Sequence, residues 1–148
     1  RRNRPEAILL SVGLNDTARI GSKEGRHQLD IDAFEYGFER LVNNMNSKTK
    51  VFILGLTPVD ESKMPFGGCL WYSNKYSQKY ERRMEEVCLN QNVPFLSIFN
   101  DLKNDNRIMN WISNDGIHMN SHIVEVVNEH VTAALGIANY VSRKTNSA

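Results

Sequence analysis

The stretch Ala7-Ile8-Leu9-Leu10-Ser11-Val12-Gly13-Leu14-Asn15-Asp16 decides the fold. Its first seven residues form a nearly continuous apolar run closed by a glycine. A run this short, without alternation, fits a strand covered on both faces, as in a parallel sheet. Val51-Phe52-Ile53-Leu54-Gly55-Leu56 repeats the pattern. Val93-Pro94-Phe95-Leu96-Ser97-Ile98-Phe99 gives a third, weaker strand, with Pro94 tolerated only near its start.

Helical patterns separate these strands. Ile31, Phe34, Phe38, Leu41, Val42 and Met45 draw one apolar stripe. Asp32, with Glu35 three residues later, supplies a capping arrangement at its start. A second helix is expected over 73–91, with Ser73 as N-cap and Tyr76, Tyr80, Met84, Val87 and Cys88 on one face. A third is expected over 120–135, with Ile123, Val126, Val127, Val131, Ala134 and Leu135 pointing inward. Strand and helix alternate three times, which predicts an α/β layered fold with right-handed crossovers. The remaining stretches, 14–30, 57–72 and 100–119, read as loops. Each follows the C-terminal end of an expected strand, where α/β proteins place their ligands.

Composition narrows the function classes. The 148 residues, 41% of them hydrophobic, suffice for one domain, expected over 1–141 with a disordered tail at 142–148. Lys plus Arg number 18 against 17 for Asp plus Glu, a net charge of +1. That balance gives no electrostatic reason for a nucleic-acid or anionic-membrane partner. No apolar run approaches the roughly 18 residues of a membrane span. Cys69 and Cys88 fit neither a disulfide framework nor a common zinc spacing, and read as free thiols, one in a loop and one on a buried helix face. The sequence opens on Arg1, not Met, which suggests a removed segment or a longer chain. Localisation is therefore left open: a soluble chain, cytoplasmic if no signal peptide precedes it.

Two loop motifs carry chemistry. Gly13-Leu14-Asn15-Asp16 follows the first strand, and Asp115-Gly116-Ile117-His118 precedes the last helix. An Asp three residues before a His can accept the imidazole Nδ1–H, fixing the tautomer and freeing Nε2 as a general base. An Asn at a strand tip can aim its side-chain N–H at a developing oxyanion. Other features read more simply. Asn15-Asp16 also suits a plain turn. His118 and His122 have a zinc-compatible spacing but no third ligand, and Gly67-Gly68 lacks the Lys and Ser/Thr of a phosphate loop. Trp71 and Tyr72 read equally as groove lining or as loop packing.

At these motifs the sequence resembles the SGNH (GDSL-type) hydrolases. Ile8 to Thr17 is similar to that family's third conserved block, Gly-x-Asn-Asp after a hydrophobic strand, and Val51 to Val59 to its next strand with a Pro-containing turn. Trp111 to Asn120 is similar to its fifth block, Asp-x-x-His followed by a helix. The resemblance covers residues 7 to about 135. It implies a flavodoxin-like three-layer α/β/α fold, N-terminally incomplete here, and hydrolysis of a small-molecule or lipid ester without metal or organic cofactor. Asn15 would be the oxyanion donor, His118 the base and Asp115 its orienter, with Gly13 and Asp16 supporting the loop.

The family's Gly-Asp-Ser nucleophile block and oxyanion-glycine block precede Gly-x-Asn-Asp, and neither is present. No Gly-Asp-Ser occurs in the chain. Ser11 is expected inside a buried strand, Ser73 at a helix cap and Ser97 in the third strand. Ser113 lies two residues from Asp115, too close to meet Nε2 as well. The expectation is a chain with base, orienting acid and oxyanion donor but no nucleophile. Without the family's first two strands, the edge of 7–13 should be exposed and prone to self-association. A non-catalytic fragment or pseudoenzyme, or a flavodoxin-like binding module, is the alternative.

Overall fold

The computed structural model describes residues 5–135. In chain order its elements are β1 (Ala7–Ser11), β2 (Arg19–Ile20), α1 (Ile31–Asn46), β3 (Lys50–Leu54), β4 (Leu70–Trp71), α2 (Asn74–Asn90), β5 (Phe95–Leu96), α3 (Phe99–Asn104), α4 (Ile108–Trp111) and α5 (Ile123–Leu135). β1, β3 and β5 form a parallel sheet in that order, with Ala7 opposite Lys50 and Ser11 opposite Leu54. β2 and β4 form a separate antiparallel pair.

Side-chain alternation along β3 explains the layers. Val51 and Ile53 point to one face and join Phe34, Phe38 and Val42 of α1 with Tyr80, Met84 and Val87 of α2. Leu54 points to the other, where it meets Ile98, Leu102, Trp111 and Ile123, with Val126, Val127 and Val131 of α5 packed alongside. A strand whose successive side chains enter two apolar clusters must be covered on both faces. The result is the expected three-layer α/β/α arrangement around a parallel sheet.

β1 departs from its expected burial. Among the described residues it pairs with β3 alone, its exposure alternates along the strand, and Leu9 is 43% exposed. Leu10 packs against the α1–α2 cluster, so only one face is covered. The apolar run marks the strand correctly, but the face carrying Leu9 stays open. The third strand is also shorter than 93–99. Only Phe95 and Leu96 pair with β3, and Phe99 already opens α3.

The N-cap of α1 is Asp30, which accepts the Asp32 N–H at 2.9 Å; Asp32 lies inside the first turn. Glu35 instead pairs with Arg83 of α2 at 3.1 Å. Ser73 caps α2 as expected, accepting from the Tyr76 N–H. The expected loops hold short elements, since β2, β4, α3 and α4 all lie within or overlap them. The 142–148 tail and the end of the 1–141 domain lie outside the described residues, as do the side chains of Ala134 and Leu135.

A third apolar cluster is built by the connections at the C-terminal ends of the strands. Ala18, Val59, Tyr72 and Ile117 are buried there, with Leu14, Met64 and Phe66 packed around them. This cluster ties the 14–18, 57–72 and 112–119 segments together and fixes both chemistry-bearing motifs.

Candidate active site

Asn15 opens a single 3-10 turn, Asn15–Thr17, directly after β1. The turn closes through Asp16 N–H to Gly13 O at 3.2 Å and Thr17 N–H to Leu14 O at 3.1 Å. The Thr17 hydroxyl reinforces it, donating to Leu14 O at 2.8 Å. Gly13 has φ +108°, and a Cβ there would lie 3.2 Å from the Phe34 ring, so the turn needs glycine for both conformation and space. Asp16 is half-buried, and burial raises its pKa above the ordinary carboxylate value. Its backbone N–H closes the turn on Gly13 O, and it does not line the cleft that holds His118.

The second motif folds on itself. Asp115 Oδ1 accepts the backbone N–H groups of Ile117 and His118, each at 3.0 Å. Its Oδ2 lies 2.7 Å from Nδ1 of His118. The two backbone donors, followed by the imidazole, hold the Asp115 carboxyl down at about 2. An ionised carboxylate therefore faces Nδ1 and favours the tautomer with Nδ1–H, leaving Nε2 with a free lone pair. Among the described residues no hydrogen bond engages Nε2. The imidazole is 68% exposed, with the Phe66 ring edge-on to it at 6.1 Å. Gly116, at φ +83°, lets this loop dock on the 60–63 turn. Its carbonyl accepts from Asp60 N–H at 2.8 Å, and a Cβ would come within 2.6 Å of Lys63 Cβ.

The two motifs meet across one cleft of about 240 Å³, lined by Ser11, Gly13, Asn15, Gly55, Thr57 and His118 among others. Sequence reasoning missed what orients Asn15. The Tyr72 hydroxyl donates to Asn15 Oδ1 at 3.3 Å, which leaves the amide N–H₂ available to the cleft. Tyr72 is buried, and burial together with Asp16 raises its pKa, so it stays a neutral donor. Its apolar neighbours in sequence gave a signal for packing, not for this bond.

Ser73 Oγ caps α2, and Ser97 Oγ donates to Glu81 at 3.0 Å. Ser113 belongs to the turn in which its N–H donates to His118 O at 2.7 Å. Ser11 differs from expectation: it is exposed at the end of β1 and lines the same cleft as His118. His122 sits just before α5, its N–H donating to Asn120 Oδ1. Among the described residues no three His, Cys, Asp or Glu side chains are grouped to hold a metal.

The family model for GDSL-like lipases/acylhydrolases matches residues 1–123. The chain belongs to that family.

Solved structures agree at the level of fold. A lipase/acylhydrolase from Enterococcus faecalis superposes with TM-score 0.71 at 15% identity, over 92% of this chain and 63% of its own. A GDSL-like lipase from Bacteroides thetaiotaomicron gives 0.65 at 15% identity, over 90% and 63%. An acetyl-xylooligosaccharide esterase from Geobacillus gives 0.64 at 12% identity, over 89% and 60%. The chain thus spans 60–63% of the length of these relatives. No curated protein matches it by sequence. None of the described helices is long and apolar enough to cross a membrane.

Proposed function

We propose that this chain supplies the general base, its orienting acid and one oxyanion donor of a serine ester hydrolase. The single observation that carries the reading is that His118, held by Asp115, lines the same cleft as Asn15. His118 Nε2 takes the proton of a serine hydroxyl as its oxygen attacks the ester carbonyl, and Asn15 donates to the oxygen that becomes negative. Collapse of the tetrahedral species expels the alcohol, which takes its proton from His118. Water then deacylates the serine with the same imidazole as base. The substrate is a small-molecule or lipid ester. The family's name, and an esterase among the fold relatives, support an ester as substrate class.

The nucleophilic serine comes from a segment outside these 148 residues. Supporting this, Ser73 and Ser97 are engaged elsewhere, and no serine among the described residues hydrogen-bonds His118 Nε2. A second reading rests on Ser11, which shares the cleft and would make the chain self-sufficient. Fluorophosphonate labelling separates the two. No label on the 148-residue chain, with one labelled serine in a longer product, is expected. Label on this chain that disappears in Ser11→Ala would move the nucleophile to Ser11. A longer product that takes no label would leave a pseudoenzyme.

A further inference from the structure

Beside the cleft, on the far side of Tyr72, lies a second hollow of about 290 Å³. Tyr72 lines it while its hydroxyl bonds Asn15, a residue of the cleft lining, so the Tyr72–Asn15 bond links the two. Met64, also lining the hollow, belongs to the same apolar cluster as Tyr72 and Ile117.

The hollow's charge is one-sided. Arg19, Lys23 and Lys75 line it against one carboxylate, Glu61, in a chain whose overall charge is only +1. Glu61 Oε1 is already engaged by the Asn74 N–H at 2.8 Å. Among the described residues no carboxylate lies within ion-pairing distance of any of the three cations.

Aromatic rings hold two of the cations instead. The Arg19 guanidinium lies 4.4 Å from the Tyr76 ring centre, and Lys23 Nζ 5.3 Å from that of Trp71. Arg19 also donates to Gly25 O and Tyr76 Oη, both at 2.6 Å, while its Nε is buried without a partner. A cation placed against a ring face keeps its net charge, whereas one paired with a carboxylate does not. Trp71 is itself pinned through its indole N–H to Gly21 O at 3.3 Å.

We propose that this hollow binds an anionic group carried on the non-reacting part of the substrate, with Lys23 and Lys75 as its principal electrostatic partners and the Trp71 and Tyr76 rings contacting the attached carbons. The inference rests on the ester-hydrolase reading and adds the substrate's charge. A neutral ester fills the cleft alone; an anionic one also reaches past Tyr72 into the hollow. Carboxylate and phosphate share this chemistry.

Binding is read without turnover, from the fluorescence of Trp71 in the full chain titrated with galacturonate, its neutral methyl ester and galactose 6-phosphate. Trp71→Phe assigns the signal, since the other tryptophan, Trp111, is buried in the α3–α5 layer. At low salt the two anions should bind about tenfold more tightly than the methyl ester, with the difference shrinking as added salt screens the cations. The tighter of the two anions identifies carboxylate or phosphate as the preferred group. Lys23→Ala/Lys75→Ala, at two exposed positions, should weaken anion binding about tenfold, and His118→Ala should leave it unchanged. Equal affinity for the methyl ester, or no effect of the lysine changes, overturns the inference while leaving the hydrolase reading intact. Retained anion binding in a protein that hydrolyses no ester would have the opposite meaning.

Discussion

Asp115 holds three donors at once: its Oδ1 takes the Ile117 and His118 backbone N–H groups at 3.0 Å each, and its Oδ2 meets His118 Nδ1 at 2.7 Å. The carboxylate thereby fixes both the backbone that carries the imidazole and the tautomer of the ring. Asp115→Asn keeps an oxygen for the backbone donors but can present an amide N–H₂ to Nδ1, which favours the wrong tautomer. In a product that hydrolyses esters, kcat should fall about 10²- to 10⁴-fold with the thermal melt nearly unchanged. A fall below tenfold in steady-state turnover would show that Nδ1 needs no carboxylate.

Tyr72 is a positioning residue for Asn15, acting through the 3.3 Å bond to Oδ1. Tyr72→Phe keeps the ring and its packing and frees the amide to rotate. Turnover should drop about three- to tenfold, an effect of the size of one neutral hydrogen bond. In an Asn15→Ala background the same change should cost almost nothing, because the group it orients is gone. Additive losses in the double variant would contradict the assignment.

Glu81 of α2 is only 6% exposed, with Oε1 accepting from Ser97 Oγ and Oε2 unpartnered. Burial pushes its carboxyl up to about 7, with Ser97 opposing and Glu85 adding to the shift. An unfolded Glu ionises near 4.5, so between that pH and about 7 the folded chain retains a proton that the unfolded one has lost. Stability therefore declines as pH rises through this window, by at most about 3 kcal/mol. Glu81→Gln removes the ionisation. Melting curves should show the unsubstituted chain losing several degrees relative to the variant between pH 5 and pH 8. Parallel pH dependence in the two would show that Glu81 does not titrate there.

The open edge of β1 leads to an expectation about assembly. Among the described residues Ala7–Ser11 pairs on one side only, and Leu9 and Val12 are exposed. An apolar edge with unpaired backbone groups is a template for another strand, and a second copy of the chain is the partner expected here. Light scattering should find the 148-residue chain above its monomer mass, and Leu9→Lys should lower that mass. A monomer with a cooperative melt would contradict this.

Much of this organisation was legible in the sequence, for identifiable reasons. Apolar runs mark β1 and β3, and 3.6-residue stripes mark α1, α2 and α5, because each buries one set of side chains. The Asp115–His118 contact follows from local spacing. What escaped depends on tertiary neighbours. The open edge of β1 was expected, but the exposure of Leu9 and Ser11 on one of its faces was not, because it depends on what packs over that face. Glu81 lies outside the apolar stripe of α2, yet it packs under Gly55, where an added Cβ would lie 2.5 Å from its Oε1. The Tyr72–Asn15 bond joins residues 57 positions apart in sequence, and no local pattern announces it.

The central claim is that His118 is the proton-transferring base of an ester hydrolase. The most direct measurement is hydrolysis of p-nitrophenyl acetate by a longer product that takes the fluorophosphonate label, compared with its His118→Ala variant. The imidazole is exposed, so its removal should leave the melting temperature close to that of the parent. The account predicts that hydrolysis is abolished. Turnover that survives in a folded His118→Ala protein would contradict it.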